Sequence, residues 1–429
     1  MRLLAKEETP LDWTSKKIGS YVLGHKGGAA LRPSDFSDVG FPVIPKKAIQ
    51  PTGELLIESP TYCTNEFASN NKRSIVDNSY TITTLRDLVP TGPTIGTVVN
   101  FTSEEKYILS QGVYGLKLND DLDKKYLSYL SNTSFYRKVM QRIMVGSTQV
   151  HIRTPEYLDL EIQIPPLLEQ QKIANILSTW DKAISTTERL IENSTQQKKA
   201  LMQQLLTGKK RLLDESGKRF ESEWEEVKLG EVVKHQKGFA FKSSSYRDTG
   251  IRIIRISDTT RNSVHDNSPA YINESEVAPL LKYKLNSGDI ILSTVGSRPH
   301  LLDSMVGKAI QIPAKDSGAL LNQNLVKLIP KDKIIASNYL FLMITNQKFN
   351  YFISTLVRGN ANQVSITLAE LFAYRFALPT YEEQKRIATV LTNADREIGL
   401  LEQQLADLQQ EKKALMQVLL TGKKRVTVI

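Results

Sequence analysis

Two stretches of the chain carry apolar residues at alternating steps of four and three. In the first, Ile173, Leu177, Trp180, Ile184, Thr187, Ile191, Ser194, Lys198, Leu201 and Leu205 fall on one line. In the second, Ile387, Leu391, Ala394, Ile398, Leu401, Leu405, Leu408, Lys412, Leu415 and Leu419 do the same. A sustained period of about 3.5 residues predicts a coiled-coil seam. Each stretch therefore reads as a long helix that needs a partner helix. Thr187, Ser194, Lys198 and Lys412 interrupt the seam, and the expectation is a local register shift with each lysine snorkelling out. Pro165, Pro166 and Pro379 stand where a helix begins. Thr380 and Glu383 have capping-box spacing, and Glu169 sits near the positive helix end. Both stretches close on Leu-Leu-Thr-Gly-Lys-Lys-Arg. Gly208 and Gly422 suit the left-handed position past a helix, and the basic triplets oppose its negative end. Each helix is expected to span about 40 residues, on the order of 60 Å.

The two stretches are also copies. Residues 165–211 and 379–425 align without a gap at a constant offset of 214, with roughly half the positions identical. Such a period is too long for a solenoid. It means two domain-plus-helix units in one chain, a dimer fused end to end, and it implies a partner or substrate with two halves.

The segments 1–164 and 218–378 have another texture. Short β-like runs (Ile251–Ile256, Asp289–Leu292, Leu325–Ile329) alternate with Gly, Asn, Asp and Pro turns, and one helical stretch follows in each, near Lys124–Arg142 and Ser337–Ser354. These are α+β domains. Trp13-x-x-x-x-Ile18-Gly19 answers Trp224-x-x-x-x-Leu229-Gly230, and Gly146–Ile152 answers Gly359–Ile366. Between these anchors the domains differ freely, so a shared scaffold holds two different readers. The expected organisation is a domain over 1–164, a helix and linker over 165–217, a second domain over 218–378 and a second helix over 379–429.

Composition is ordinary for a globular chain of 429 residues, but the net charge of +10 favours a polyanionic partner. The one cysteine, Cys63, excludes an internal disulfide and reads as a buried small side chain. No apolar run is long enough to span a membrane, which gives the expectation of a soluble, cytoplasmic protein.

Catalytic chemistry is missing from the sequence. There is no phosphate loop and no Gly-x-Gly-x-x-Gly turn. Gly24–Gly28 has the wrong spacing and reads as a surface turn. The Asn/Asp-Pro-Pro-aromatic tetrapeptide of amino-methyltransferases is absent. His25, His151, His235, His265 and His300 show no metal spacing. Polar loops suited to DNA are plentiful. Asn70, Lys72 and Arg73 form one, and Ser147, Thr148 and Gln149 another. Lys237, Lys242 and Ser243 flank Phe239 and Phe241; Arg252 and Arg255 alternate with isoleucines, and Arg261 and Asn262 follow. Arg358, Asn360, Asn362 and Gln363 crowd into one short loop. Arginine suits guanine, Asn and Gln suit adenine, and Lys, Ser and Thr mostly hold phosphates.

The order of variable domain, helix, variable domain, helix resembles the specificity subunit of type I restriction–modification systems. The residues that carry the resemblance are Trp224–Gly230, Gly238-Phe-Ala-Phe241, Gly288–Leu292, Gly146–Gln149, and Pro-x-x-x-Glu-Gln-x-x-Ile-Ala at 165–174 and 379–388, with the duplicated Leu-Leu-Thr-Gly-Lys-Lys-Arg. Gly27-Gly28-Ala-Ala-Leu31 departs from the Gly-Phe-x-Phe pattern in the first domain.

The resemblance implies a non-catalytic reader of double-stranded DNA. It would consist of two target-recognition domains, each for one half of a split asymmetric sequence, on two antiparallel coiled-coil helices with pseudo-twofold symmetry. It also implies docking of two methylase subunits, which carry S-adenosylmethionine for adenine N6 methylation, and of two restriction (nuclease–translocase) subunits. No cofactor or metal is expected on this chain. A pseudo-twofold reader suits two half-sites on one DNA face, and a 60 Å helix matches about 18 base pairs at most. Two other readings stand beside this one: a DNA-reading subunit of another methylase-based phage-defence system without the usual nuclease, and a structural coiled-coil scaffold.

Overall fold

The computed structural model describes residues 3, 10–260, 263–296, 306–356 and 364–427. The chain divides into two compact units. One comprises Met1–Arg189 with Glu402–Ile429, the other Leu190–Leu401. Each long helix, Leu167–Leu205 and Tyr381–Leu419, is thus shared between the two.

The units repeat one plan. In the first, a four-stranded antiparallel sheet runs in the order Val22–Gly27, Val113–Leu118, Tyr80–Thr84, Val98–Asn100. In the second, the same order is Val233–Lys237, Leu325–Pro330, Ile290–Ser293, Ala309–Gln311. A second, mixed sheet in each contains one parallel pair, Tyr107–Leu109 beside Phe41–Ile44 and Leu320–Leu321 beside Ile251–Ile254. A two-stranded ribbon closes each domain beside its long helix: Thr14–Lys17 with Glu161–Ile164, and Glu225–Lys228 with Arg375–Leu378. The helical stretch expected in each domain is two helices, Lys124–Ser131 and Ser134–Ile143, then Ser337–Thr345 and Gln347–Leu356. Thr133 caps the second of the first pair, its hydroxyl accepting from the Tyr136 amide.

Gly24–Gly28 is not a surface turn. It continues the strand Val22–Gly27, and Gly28 lies where a Cβ would meet the Ser110 carbonyl at 1.8 Å. Gly238 is its counterpart, with a Cβ 2.0 Å from the Asn322 carbonyl. The backbone bridges Ala29↔Ser110 and Phe239↔Asn322 match as well. Gly-Ala-Ala-Leu therefore builds the same crossing as Gly-Phe-Ala-Phe, because the crossing needs the glycine, not the aromatics. Cys63 is fully buried.

Within each unit the start of one long helix packs on the end of the other. Ile173 and Leu177 share a core with Leu415, Leu419 and Leu420. Leu201 and Leu205 share one with Ile387 and Leu391. Glu169 meets Arg425 and Asp181 meets Lys412, as Glu383 meets Arg211 and Asp395 meets Lys198, so partner numbers fall as helix numbers rise and the segments are antiparallel in each unit. From 185 to 200, Thr187, Ile191, Ser194 and Lys198 alone are shielded from solvent; Trp180, Ile184 and Ile398 are half-buried. The seam lysines do not leave the seam by a register shift. Lys198 reaches Asp395, and Lys412 reaches Asp181, which also accepts from the Tyr129 hydroxyl at 2.5 Å. The two pairs are the same pair, displaced by the 214-residue offset in both members. A charge in the seam becomes tolerable when the facing helix supplies its counter-ion.

Candidate nucleic-acid interface

The duplicated motifs at the helix ends form a clasp, built twice. Glu383, fully buried, receives Arg211 through two bonds of 2.6 and 2.7 Å and the Trp224 indole N–H at 3.1 Å. Glu169 receives Arg425 through 2.8 and 2.6 Å bonds, and Arg425 also grips Asp12. Planar guanidinium–carboxylate forks of this kind fix angle as well as distance. The Thr380 capping box is accordingly only half made. The Thr380 hydroxyl accepts from the Glu383 amide at 3.4 Å, but the Glu383 carboxylate belongs to the clasp. Gly208 and Gly422, at φ +71° and +74°, turn each chain out of its helix so that the arginine can reach back.

The glutamine beside each glutamate mounts the domain on its helix. Gln170 accepts from the Asp123 amide and donates to the Asp121 and Pro165 carbonyls, all at 2.9 Å. Gln384 accepts from the Ala336 amide at 2.8 Å and donates to the Ile334 and Pro379 carbonyls at 3.0 and 2.9 Å. Every domain-side partner is backbone, so the mount does not depend on domain sequence. Sequence reasoning took Glu383 as a capping-box residue of its own helix, and Glu169 and the basic triplets as dipole partners of theirs. The signal that could have joined them was the duplication of both motifs at one offset.

The polar candidates lie on the domains. Asn70 ends the helix Asn65–Asn70, and Lys72 and Arg73 form the turn after it; all three are exposed. Ser147, Thr148 and Gln149 are an exposed loop between the helix Ser134–Ile143 and the strand Val150–His151. No hydrogen bond or ion pair among the described residues joins these two patches. In the second unit, Lys237, Lys242 and Ser243 are exposed around Phe239, which packs on Phe241 and Tyr283 at centroid distances of 5.0 and 5.3 Å. Arg252 and Arg255 are turned inward. Arg252 pairs with Asp266 and Asp316, and Arg255 forks onto Asp258. Arg261, Asn262, Arg358, Asn360, Asn362 and Gln363 lie outside the described residues.

Sequence reasoning missed a cleft of ≈ 460 Å³ in the first domain, lined by Arg86, Gln111, Tyr114, His151, Arg153 and Thr154 among others. Its floor is the short ribbon Arg86–Asp87 with Val150–His151, in which Arg86 stands opposite His151. Asp87 and Val150 point inward and are buried, while Arg86 and His151 are exposed, as the two-residue alternation of a strand requires. Asp87 braces the loop that follows. It accepts from the Thr94 hydroxyl at 2.6 Å, the Thr94 amide at 2.9 Å, the Val89 amide at 3.2 Å and Lys46 at 2.8 Å. Arg137 ties the same loop through the Gly92 and Pro93 carbonyls at 2.9 Å.

Burial alone would raise the Asp87 pKa, but the Lys46 and Thr94 side-chain bonds and the backbone amides outweigh it and hold the carboxyl at about 2. The folded value lies below the unfolded one of about 3.9. The stability Asp87 contributes is therefore present above pH 4 and lost as pH falls toward 2. Asp87→Ala is expected to cost about 3 kcal/mol at pH 7, because Lys46 and two amides lose a charged acceptor. The loss relative to wild type should shrink at pH 3. Hydrogen exchange at the Val89 and Thr94 amides, read at both pH values, checks this; unchanged protection at pH 7 would rule out the brace.

Among the described residues no group of His, Cys, Asp and Glu could hold a metal, and no helix is long and apolar enough to cross a membrane. The family described as "Type I restriction modification DNA specificity domain" matches residues 10–194 and 221–410, once per repeat. The specificity subunit of the type I restriction enzyme MjaVIII of Methanocaldococcus jannaschii is 30% identical over 331 residues, 75% of each chain. The putative MjaX specificity subunit of the same organism is 27% identical over 199 residues, 46% of each chain. In fold, the chain is similar to the type I restriction–modification S subunit of M. genitalium, with a TM-score of 0.59, 15% identity, and 98% and 99% of the two chains covered. The chain belongs to the type I restriction–modification DNA specificity family.

Proposed function

We propose that this chain is the non-catalytic DNA-reading subunit of a type I restriction–modification complex. Each domain reads one half of a bipartite, asymmetric target in double-stranded DNA, and the paired long helices dock two methylase subunits. Those subunits bring S-adenosylmethionine and methylate adenine at N6; two restriction subunits complete the nuclease in the cytoplasm. The observation that carries this reading is the contrast between mount and surface. The Glu–Arg clasp, the Gln mount and the Lys–Asp pair are repeated residue for residue, while the domain surfaces differ. Two equal mounts for two unlike surfaces suit a protein that reads two unlike half-sites. The exposed polar residues Asn70, Lys72, Arg73, Ser147, Thr148 and Gln149 of the first domain and Lys237, Lys242 and Ser243 of the second are its proposed DNA contacts, together with Arg261, Asn262, Arg358, Asn360, Asn362 and Gln363 by their sequence.

The purified chain alone is expected to bind duplex DNA weakly, with affinity falling steeply as salt rises, since displaced counter-ions drive that binding. It should transfer no methyl group from S-adenosylmethionine. Together with its methylase subunits it should methylate one split sequence, read by methylation-sensitive sequencing. Methyl transfer by the isolated chain, or a complex that marks no defined sequence, would overturn the reading.

A further inference from the structure

We infer that the Arg86–His151 cleft of the first domain is a base-reading site that takes a base-pair edge of duplex DNA in the major groove, with Arg86 as the group that selects guanine. The inference rests on the proposed DNA-reading function and names where one half of the target is read.

Three observations lead to it. First, the cleft is lined by donors, and its central arginine has no internal use. Arg211, Arg425, Arg252 and Arg255 are each taken up by carboxylates, and Arg137 by carbonyls. No carboxylate or carbonyl among the described residues accepts from the Arg86 guanidinium, and no carboxylate lines the cleft. Arg153 has only a loose pairing of 3.7 Å with exposed Glu156. Second, the floor is held rigid. Arg86 and His151 are cross-strand neighbours on the outer face of a two-stranded ribbon, whose flanking loop is braced by Asp87 and Arg137. The major groove admits such a ribbon, and an arginine fork fits the O6 and N7 acceptors of guanine.

Third, the second domain builds the same ribbon with other side chains. Val295–Gly296 pairs with Val364–Ser365, and Val295 stands opposite Ser365. Two of the backbone bonds that flank the ribbon correspond. The Leu85 and Ile152 amides bond the Gly112 and Leu85 carbonyls, as the Thr294 and Ile366 amides bond those of Asn324 and Thr294. By this register Arg86, Tyr114, His151 and Arg153 are replaced by Val295, Val326, Ser365 and Thr367, while the inward Val150 and Val364 agree. Gln111 has the same residue, Gln323, at its counterpart. Phosphates are the same at every half-site, so a phosphate-holding set would have no reason to change between the two readers. The Asp87 brace is not repeated, since Gly296 stands in its place, but the ribbon and its flanking backbone bonds are; a reading set that changes on a ribbon that stays is what base reading requires.

The test uses the chain assembled with its own methylase subunits and duplexes carrying the target and each single-base variant of it. Arg86→Ala is expected to relax one position of one half-site, with discrimination there falling on the order of tenfold or more, and to leave the other half unchanged. Arg86→Lys should fail to restore it, because an ammonium cannot make the bidentate fork. Weaker binding to all duplexes alike in Arg86→Ala, restored by Arg86→Lys and with a shallower salt dependence, would make Arg86 a phosphate contact and overturn the inference. Unchanged stringency in both variants would take the cleft out of the interface and overturn it too. If the wild-type complex itself marks no sequence, the proposed function fails, which is a separate outcome. Melting of both variants at the wild-type temperature guards against misfolding, since the stem of the exposed Arg86 lies against the buried Gly112.

Discussion

Leu391→Asp is expected to unfold the second unit of the chain, whereas Ile398→Asp, one heptad on, is expected to be tolerated with a lower melting temperature. Leu391 is fully buried in the core that Leu205, Ile387 and Ala388 share with Tyr339, Leu229 and Phe376. Truncating such a leucine to alanine already costs about 2–5 kcal/mol. A carboxylate there adds a charge with no counter-ion among the residues that share this core, which costs several kcal/mol more, enough to exhaust the stability of an ordinary domain. Ile398 is only half-buried, and a carboxylate there keeps contact with water. Circular dichroism melting and size exclusion of the two variants separate the cases. Equal melting temperatures for both would mean that the seam does not carry the stability assigned to it here.

The two long helices were legible because helical spacing reports which residues share a face. Every position placed on the seam is buried or half-buried, from Ile173 to Leu205 and from Ile387 to Leu419. What faces the polar positions was not legible. Lys198 and Asp395 lie 197 residues apart, and nothing local in either helix says that they meet. The duplication did hold that information: Asp181 and Asp395 repeat at the same offset as Lys198 and Lys412, so the pairs could be read as a reciprocal exchange. The sheets were legible as β-rich segments, but not in their order, which depends on pairings between distant strands. The Gly28 crossing was misread because the backbone approach it permits leaves no mark in its neighbours. The cleft went unread for a similar reason. Arg86 and His151 belong to separate segments and meet only through ribbon register, and His151 taken alone is an unremarkable surface histidine.

Exchanging residues 218–378 for the matching segment of a relative is expected to replace one half of the methylated target and leave the other half as it was. Gln384 and Pro379 stay with the chain, and Gln384 asks the incoming domain only for one amide and one carbonyl, those now at Ala336 and Ile334. Any sequence that folds the same way supplies them. The ribbon Glu225–Lys228 with Arg375–Leu378 lies wholly inside the exchanged segment, so its four paired positions travel together. The apolar face that Leu229, Tyr339 and Phe376 turn to Leu205, Ile387 and Leu391 must stay apolar, and one polar side chain must be matched: Trp224, whose indole donates to Glu383 and lies 5.6 Å from the Arg211 guanidinium. A donor segment without that tryptophan would leave the buried Glu383 one bond short, at a cost of about 1–3 kcal/mol, and would confuse a mounting defect with a reading defect. With the tryptophan kept, the first domain, with the Arg86 cleft and its own clasp of Glu169 and Arg425, is untouched. The hybrid, assembled with the methylase subunits, should therefore methylate a new split sequence that retains one parental half, read by methylation-sensitive sequencing. A hybrid that assembles normally but changes both halves, or neither, would show that the two domains do not read independently.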